Sequence, residues 1–412
     1  MKNKKSFSKI GFGTYRITSS VKEHEESLEK AIRGGINIID TSSNYTDGRS
    51  EKLIGEVIDK LSGEINREDI TIVSKFGYIQ GQNISRYWEG FKPPDIVHYD
   101  RECFHCIHPV FMRDQLKRSL DRLRTDCIDI YLIHNPEYYL LKNARSENDV
   151  NDARKEMLRR IAESFIALEE EVKKGTINSY GISSNTFAVP EDDIHFLPYL
   201  DLPNIAWEAA KKVGNVKSSF TTIQLPGNML ETVGLEECAV WARGLELNVL
   251  INRPLNAYYE NRLFRLATYN IPEEYDEIYG KTLEWSGRLG MGHLARHIEN
   301  IDKLKNSFLS MGHFEYLFKD EIAPPIKTTI NFLQDEDRDL FLDFLSLYKL
   351  SVKANLSVIT KSYLEDMGFI IDETIERIAL KFLLDKKQVT TVLVGMKKLE
   401  YVDTALEIMK SY

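Results

Sequence analysis

The sequence predicts an α/β protein of the (β/α)8 class, in which eight parallel strands close into a barrel with helices outside. Short β-branched runs alternate with longer amphipathic stretches, and the runs number eight. No glycine-rich GxGxxG fingerprint follows the first run, so an open doubly wound sheet is disfavoured. Eight strands of this kind favour a closed barrel.

The predicted strands are apolar at nearly every position, as parallel strands buried on both faces should be. In chain order they cover residues 10–13, 36–39, 70–74, 128–133, 177–182, 221–225, 247–251 and 389–394. Stretches with apolar residues at helical spacing lie between them, at residues 20–34, 50–61, 112–123 and 157–174. Gly175 follows the last of these and predicts its end.

Two segments interrupt the alternation in a chain that is otherwise predicted to be one domain over residues 1–412. Residues 78–109 follow the third strand and are rich in Tyr, Trp, Pro and His. Residues 256–372 follow the seventh strand and have a mostly helical pattern. Because both segments follow the carboxyl end of a strand, we expect both over the catalytic face of the barrel, the longer one as a lid.

Composition and charge narrow the class of protein. The chain is 42% hydrophobic and 28% charged, which is ordinary for a globular protein with a large core. A formal net charge of −9 argues against a broad nucleic-acid-binding surface, and no run of about 18 apolar residues could span a membrane. Four cysteines are too few for a disulfide framework in 412 residues. We therefore expect a cytoplasmic protein without nucleic-acid or membrane partners, and the oligomeric state stays open.

Four polar residues stand at or just beyond three successive predicted strand ends, which converge on one face of a barrel. Asp40, Lys75 and His134 end the second, third and fourth strands, and Tyr45 follows Asp40 by five positions. Carbonyl reduction needs a proton on oxygen as hydride reaches carbon, and a neighbouring ammonium would lower the tyrosine pKa from about 10. Lys75 would supply that charge, Asp40 would hold Lys75, and His134 would donate a hydrogen bond to the substrate oxygen.

The chain resembles the aldo-keto reductase superfamily in a series of motifs that occur in the order and approximate spacing of that family. The motifs are IGFGTYR, IDTSSNY, SKFG, SLDRL with DIYLIHNPE, GTINSYGISSN and VTTVLVGMKKLEYV, within residues 9–255 and 373–410. The resemblance implies a (β/α)8 TIM barrel and an NAD(P)(H)-dependent oxidoreductase that binds its nucleotide without a Rossmann domain. It also implies that Tyr45 is the proton donor, that Lys75 and Asp40 tune it, and that His134 orients the carbonyl.

The resemblance further implies which residues hold the nucleotide. Ser183 and Ser184 align with a serine–asparagine pair on the nicotinamide carboxamide, and Asn185 is the alternative for the amide role. The implied cofactor-binding set is Thr14, Asp40, Ser183, Ser184, Asn185, Gln224, Asn252, Arg253, Leu255, Gly395, Met396 and Lys397. We expect the substrate pocket to be lined by Tyr15, Asn135, His105 and His108.

Two segments depart from the family pattern. Asn252-Arg253-Pro254-Leu255 stands where the family often has an aromatic residue followed by Ser-Pro-Leu, so the aromatic that stacks on the nicotinamide is missing, and Arg253 could reach the pyrophosphate instead. The segment that binds the adenosine 2′-phosphate reads Gly395-Met396-Lys397-Lys398, with Tyr401 where an arginine is common and Ala405 where an asparagine is common. The charge of Lys397 or Lys398 makes NADP(H) the expected cofactor over NAD(H).

The run Cys103-Phe104-His105-Cys106-Ile107-His108 supplies soft ligands at tight spacing, which raises the hypothesis of a metal site. Structural zinc sites usually take a second pair of ligands from elsewhere, and the remaining cysteines, Cys127 and Cys238, stand alone. We therefore expect no metal here and interpret the run as part of the active-face loop.

Three functions fit the residues. The first is NAD(P)(H)-dependent interconversion of an aldehyde or ketone with an alcohol, a sugar-like compound being one candidate. The second is a nucleotide-binding regulatory barrel that acts through a protein partner. The third is a Schiff-base lyase that uses Lys75 as its nucleophile. The complete set of four polar residues favours the first.

Overall fold

Eight parallel strands form a closed barrel in the computed structural model, which describes residues 6–288 and 290–412. The strands, labelled β1 to β8 in chain order, are Ile10–Gly13, Ile38–Asp40, Thr71–Phe76, Ile128–His134, Ile177–Ser183, Phe220–Pro226, Asn248–Asn252 and Thr391–Gly395. Each strand pairs with its neighbours in this order, and β1 closes the barrel by pairing with β8. The predicted (β/α)8 fold is confirmed, and each strand end lies within two residues of its expected position.

The register of the strands brings polar residues to one level. Asp40 on β2 pairs with Gly13 on β1, and His134 on β4 pairs with Ser183 on β5. Ser183 in turn pairs with Gln224 on β6. All of these residues stand at the carboxyl ends of their strands, so the side chains that the sequence singled out face a common end of the barrel.

The chain divides into two compact units, residues 1–254 with 381–412 and residues 255–380. The helices of the first unit follow the strands, and those longer than two turns have an apolar face and a polar face. They are Lys22–Arg33, Arg49–Leu61, Gln82–Trp88, Pro109–Leu123, Tyr138–Asn143, Glu147–Lys174, Leu202–Val213, Val233–Glu236, Cys238–Gly244 and Leu399–Met409, with 3-10 turns at Tyr45–Gly48, Arg67–Asp69, Asn185–Ala188 and Tyr199–Asp201. A further helix, Ile375–Leu384, contains the boundary between the units.

The interior of the barrel is filled by aliphatic side chains, and glycine allows close approach where the strands need it. Inward-facing residues of five strands pack together with Phe7, namely Ile38, Val73, Ile130, Leu132, Leu250 and Leu393. Gly181 lies at an irregularity in the β5–β6 pairing, where a Cβ atom would come 1.8 Å from the carbonyl oxygen of Thr222. Only glycine fits there without moving the backbone.

The segment 78–109 contains a small antiparallel sheet and a short helix. The three strands of the sheet are Tyr78–Ile79, Val97–His98 and Phe104–His105, with Phe104–His105 in the middle. Gly77, which joins β3 to this segment, has a φ of 151°. A Cβ atom at Gly77 would lie 2.6 Å from both the His134 carbonyl oxygen and His105 Nε2, so glycine lets the sheet lie against the end of β4.

The second unit begins with a hairpin and continues as helices around a core of its own. The hairpin strands are Asn256–Tyr259 and Arg262–Arg265, and the helices are Tyr275–Arg288, Gly292–Leu304, Met311–Leu317, Ala323–Ile330 and Asp335–Asp366, with a π-helical turn at Phe318–Ile322. Phe314, Phe341, Phe344 and Tyr348 are fully buried in that core. Among the helices of the described residues, none is both long and apolar enough to cross a lipid bilayer.

Candidate active site

The candidate site is centred on Lys75, whose ammonium group is completely buried at the carboxyl end of β3. Lys75 Nζ lies 2.8 Å from Asp40 Oδ2 and donates to the Thr41 carbonyl oxygen at 2.8 Å. It also lies 3.2 Å from the Tyr45 hydroxyl oxygen. Burial opposes the charge, but Asp40 and Tyr45 more than offset this and raise the pKa of Lys75 above its usual value. Lys75 is therefore an ammonium ion at neutral pH.

Tyr45 reaches Lys75 from the turn that follows β2. This turn is a 3-10 helix, Tyr45–Gly48, in which Thr46 and Asp47 have positive φ angles of 46° and 58°. Burial of the hydroxyl raises the pKa of Tyr45, while the charge and hydrogen bond of Lys75 work in the opposite direction. The sequence led us to expect a lowered pKa for Tyr45. This expectation is wrong, because the loss of solvation raises the pKa by more than the nearby ammonium group lowers it.

His134 stands at the end of β4 with its ring edge-on to that of Tyr45, the two centroids being 6.0 Å apart. Burial lowers the pKa of His134 well below its usual value, and the charge of Lys75 lowers it further, so the imidazole is neutral at neutral pH. Its Nδ1 lies 3.1 Å from the Ser42 hydroxyl oxygen. Nε2 is thus the ring nitrogen that can meet a substrate oxygen.

A group of amides and hydroxyls adjoins Asp40 at Oδ1, the carboxylate oxygen that does not contact Lys75. Gln224 Nε2 donates to Asp40 Oδ1 at 2.6 Å, and the Ser183 hydroxyl donates to Gln224 Oε1 at 2.9 Å. Asn252 Nδ2 lies 3.4 Å from the same Gln224 oxygen. The Oδ1 atom of Asn252 is buried and has no hydrogen-bond partner within the described chain. An orphaned acceptor beside two other polar side chains suits a ligand that carries an amide N–H.

Ser184 and Asn185 differ from Ser183 in where they point. The Ser184 hydroxyl is buried and donates to Glu137 Oε2 at 2.9 Å, so it does not face the same side as Ser183. The backbone N–H of Asn185 donates to Glu137 Oε1 at 2.9 Å, while its side chain is exposed. Of the two residues, Asn185 is the one that can offer an amide to a ligand.

The other residues expected near the nicotinamide or the substrate also differ in whether their side chains bond to the protein or face solvent. Thr14 is fully buried, and its hydroxyl donates to the Asp40 carbonyl oxygen at 2.8 Å. Tyr15 is 63% exposed and packs edge-on against Tyr45 with centroids 5.1 Å apart. Asn135 Nδ2 donates to the Tyr78 hydroxyl at 2.6 Å. Only Tyr15 among these presents most of its side chain to solvent beside the candidate proton donor.

The two histidines of the 78–109 segment are engaged with the protein. His105 is 2% exposed, its Nε2 lies 2.7 Å from the His134 carbonyl oxygen, and burial lowers its pKa to about 4. His108 accepts a hydrogen bond from the Val110 N–H and so caps the helix Pro109–Leu123. His105 therefore supports the backbone beneath His134, and the structure does not bring the His108 ring to Tyr45 or Lys75.

The cysteines of the same segment are occupied by weak hydrogen bonds. Gln80 Nε2 donates to Cys103 Sγ at 3.3 Å, and Cys106 Sγ donates to the Pro94 carbonyl oxygen at 3.3 Å. Burial raises the pKa of Cys106 to about 12, which disfavours the thiolate that binds metal. Over residues 6–288 and 290–412 no group of three or more His, Cys, Asp or Glu side chains could hold a metal ion.

Arg253 and the segment 395–397 lie at the carboxyl ends of two neighbouring strands, β7 and β8. Arg253 Nη2 forms an ion pair with Glu231 Oε1 at 2.7 Å, so it would have to leave that carboxylate to reach a pyrophosphate. Gly395 ends β8 and pairs in register with Gly13, and Met396 after it is buried, whereas Lys397 is exposed. Leu255 belongs to the second unit, where its carbonyl oxygen accepts from the Leu266 N–H.

Sequence reasoning missed three polar residues that contact the candidate set. They are Ser42, which touches His134; Asn44, which accepts from Ser42 at 2.7 Å; and Glu137, which holds Ser184 and Asn185. Ser42 and Asn44 lie inside the motif DTSSNY, and Glu137 ends the motif DIYLIHNPE. The available signal for Glu137 was an acidic residue shortly after a strongly apolar run. A carboxylate that is buried at such a position needs hydrogen-bond donors from elsewhere in the fold.

Comparison with known proteins gives a family match over part of the chain. Residues 9–192 match the aldo/keto reductase family. The chain is 26% identical over 261 residues to an uncharacterized oxidoreductase of Bacillus subtilis, which covers 62% of this chain and 66% of that protein. It is 29% identical over 137 residues to the NADH-specific methylglyoxal reductase of Escherichia coli, which covers 31% of this chain and 38% of that protein.

A solved structure shares the fold. An aldo-keto reductase of Bacillus halodurans in its holo form superimposes with a TM-score of 0.51 and 17% identity, over 98% of this chain and 88% of that one. In sequence the chain is similar to aldo-keto reductases over part of its length, and in fold it is similar to a solved member of that family. Its alignments span 66% and 38% of the length of the two curated relatives described above.

Proposed function

We propose that this chain is an NAD(P)(H)-dependent oxidoreductase that interconverts an aldehyde or ketone with the corresponding alcohol. The observation that carries the proposal is the buried chain of contacts from Asp40 through Lys75 to the Tyr45 hydroxyl, with the His134 ring beside it. The match of residues 9–192 to the aldo/keto reductase family supports it, as do the names of the two relatives, an oxidoreductase and a methylglyoxal reductase.

In the reductive direction Tyr45 would give its proton to the carbonyl oxygen. The raised pKa keeps the phenol protonated at neutral pH, and the Lys75 ammonium at 3.2 Å stabilises the phenolate that forms as the proton leaves. Asp40 holds the ammonium group in place. His134, neutral and fixed through Nδ1, would orient the substrate oxygen with Nε2.

The polar group beside Asp40 fits the nicotinamide end of a nucleotide. Gln224, Ser183 and the exposed Asn185 offer amide and hydroxyl groups, and the unpartnered Oδ1 of Asn252 is an acceptor for the carboxamide N–H. The bound nucleotide supplies the hydride in reduction and accepts it in oxidation. We propose NADP(H) over NAD(H) because Lys397 and Lys398 are exposed cations in the segment implied to bind the 2′-phosphate.

The Schiff-base alternative is disfavoured by the state of Lys75. An imine forms only from a neutral amine with a free lone pair, and lysines that do this have a lowered pKa. The contacts with Asp40 and Tyr45 raise the pKa of Lys75 instead. A borohydride trap with substrate should therefore leave Lys75 unmodified.

Replacement of the Tyr45 hydroxyl tests the proposal. Tyr45→Phe should bind NADPH as the wild type does and lose carbonyl reduction by about a hundredfold or more, because general acid catalysis contributes about this much. Tyr131→Phe removes a hydroxyl from a buried tyrosine of β4 that packs on Phe76, and it serves as the matched control.

The readouts are fluorescence titration with NADPH and NADH and turnover over a panel of aldehydes, ketones and sugars. Wild-type turnover that survives in Tyr45→Phe would remove Tyr45 from its proposed role. Nucleotide binding without turnover on any panel member would favour the regulatory barrel instead.

A further inference from the structure

Glu137 is a buried carboxylate that ties two loops of the barrel together. It follows His134 by three residues beyond the end of β4, and it is 1% exposed. Its Oε1 accepts the backbone N–H of Asn185 and its Oε2 accepts the Ser184 hydroxyl, both at 2.9 Å. One carboxylate thus connects the loop after His134 to the turn after β5.

The charge of Glu137 has no cationic partner among the described residues. The titratable groups that face it are two tyrosines, Tyr78 from the small sheet and Tyr138 next in the chain, and both are neutral at neutral pH. Ser184, Asn185 and Thr186 on the facing turn are uncharged. Burial therefore raises the pKa of Glu137 to about 7, even though the hydrogen bonds from Asn185, from its own backbone and from Ser184 favour the ionised form.

We propose that Glu137 is a positioning residue which fixes the Ser184–Asn185 turn for nicotinamide nucleotide binding, and that nucleotide affinity falls when Glu137 takes up a proton. The proposal rests on the proposed function, since it requires a nucleotide beside Asn185. Glu137 itself would not touch the nucleotide. It would act through the backbone of Asn185, whose exposed side chain is the available amide on this turn.

The hydrogen-bond inventory explains the sign of the effect. An ionised carboxylate accepts at both oxygens, so it satisfies the Ser184 hydroxyl and the Asn185 N–H together. A protonated carboxyl group still accepts the Asn185 N–H at its carbonyl oxygen, and it donates its proton to the Ser184 oxygen. Ser184 then turns its own proton to the Thr186 hydroxyl oxygen at 3.2 Å and still accepts from the Thr186 N–H at 3.1 Å. Both bonds to Glu137 lose the charge that strengthens them, so protonation weakens the hold on the turn, and ordering the turn costs more when nucleotide binds.

The test is the pH dependence of nucleotide affinity in the full-length protein. NADH is the first probe, because the 2′-phosphate of NADPH itself titrates near pH 6. The dissociation constant of the wild type should rise by about five- to tenfold between pH 8.5 and pH 6, with an inflection near the pKa of Glu137. This is about the difference between a charge-assisted and a neutral hydrogen bond. Glu137→Gln cannot titrate, so its dissociation constant should stay flat over this range.

Glu169→Gln is the matched control. Glu169 is also a fully buried carboxylate, and it accepts from the Tyr180 hydroxyl at 2.9 Å and the Ser219 N–H at 2.8 Å. Ser219 precedes β6, so this carboxylate contacts the opposite end of the barrel from Gln224. The Glu169 variant should unfold at a lower temperature and keep the wild-type pH profile for nucleotide.

The possible outcomes distinguish the role of Glu137 from the proposed function. Nucleotide binding with a flat wild-type profile, or with the same inflection in Glu137→Gln, overturns the role of Glu137 and leaves the proposed function standing. Absence of binding of either nucleotide to the wild type at every pH overturns both. If Glu137→Gln does not fold, Glu137→Asp replaces it, since a shorter carboxyl group must move the inflection. An unmoved inflection would show that another group titrates.

Discussion

His134 is anchored by a chain of side-chain hydrogen bonds that leads away from the candidate site. Its Nδ1 contacts Ser42, and the Ser42 hydroxyl donates to Asn44 Oδ1 at 2.7 Å. Asn44 Nδ2 donates to Gln80 Oε1 at 3.2 Å, and Gln80 ends the chain at Cys103 Sγ. A hydrogen bond from Nε2 to a carbonyl oxygen requires the proton on Nε2, so in that state the Ser42 hydroxyl donates its one proton to Nδ1 and gives up its hydrogen bond to Asn44 Oδ1. At 3.1 Å it is placed to do so.

Removal of the Ser42 hydroxyl should slow turnover without weakening nucleotide binding. In Ser42→Ala the His134 ring loses the group that fixes its orientation and its protonated nitrogen, and we expect kcat to fall by about tenfold. Ser43→Ala is the neighbouring control, because Ser43 bonds to the Lys75 carbonyl oxygen through its backbone N–H, which alanine keeps. Steady-state kinetics with one carbonyl substrate separate the two variants. An unchanged kcat in Ser42→Ala would exclude this anchoring role.

At the scale of elements, the small sheet of the 78–109 segment supports the end of β4. Its central strand places His105 against the His134 carbonyl oxygen, and the ring of His105 stacks on Tyr138 with centroids 5.2 Å apart. The Cys106 N–H donates to the Gly77 carbonyl oxygen at 2.8 Å. The segment is therefore hydrogen-bonded to the backbone at two points, at Gly77 directly after β3 and at His134 at the end of β4.

Gly77→Ala should disturb this support. The added methyl group would meet the His134 carbonyl oxygen and His105 Nε2 at 2.6 Å, at a φ that alanine rarely adopts. We expect a loss of about 1–3 kcal/mol in the free energy of unfolding, together with lower kcat. Gly63→Ala, with nothing within 4 Å of the new methyl group, should change stability little. Urea unfolding curves compare the two, and equal midpoints would contradict the predicted clash.

Long elements with strong periodicity were predictable from the sequence, and short or polar ones were not. All eight barrel strands follow from apolar runs. The two-residue strand Phe104–His105 carries no pattern of its own, since a period of two needs several residues to be seen. The helix Glu147–Lys174 begins ten residues before its predicted start because its first turns are polar and resemble a loop.

The candidate site was predictable only in part, for the same physical reason. Asp40, Lys75 and His134 stand out as polar residues that end apolar strands. Ser42 and Glu137 owe their importance to partners 92 and 47 positions away, His134 and Ser184, and no local spacing encodes these pairs. The net direction of the Tyr45 pKa also needs the structure, because burial and a neighbouring charge oppose one another there.

At the scale of the whole molecule, each of the two units contains a hydrophobic cluster of its own among the described residues. The barrel core is formed by aliphatic residues such as Leu132 and Leu250. The unit 255–380 has a separate core that is rich in aromatic residues, including Phe344 and Tyr348. Asp40, Tyr45, Lys75 and His134 all belong to the first unit. A substitution in the core of one unit can destabilise that unit and still leave intact the packing that positions the residues of the other unit.

Phe344→Ala should therefore destabilise the second unit and leave nucleotide binding intact. Phe344 is fully buried, and its truncation should cost about 3–5 kcal/mol in the unfolding of residues 255–380. Val358→Ala, on the same helix but 68% exposed, should cost at most about 0.5 kcal/mol. Hydrogen exchange followed by mass spectrometry should locate the lost protection of Phe344→Ala within residues 255–380. Equal loss of protection in the strands of the barrel would show that the two units unfold as one.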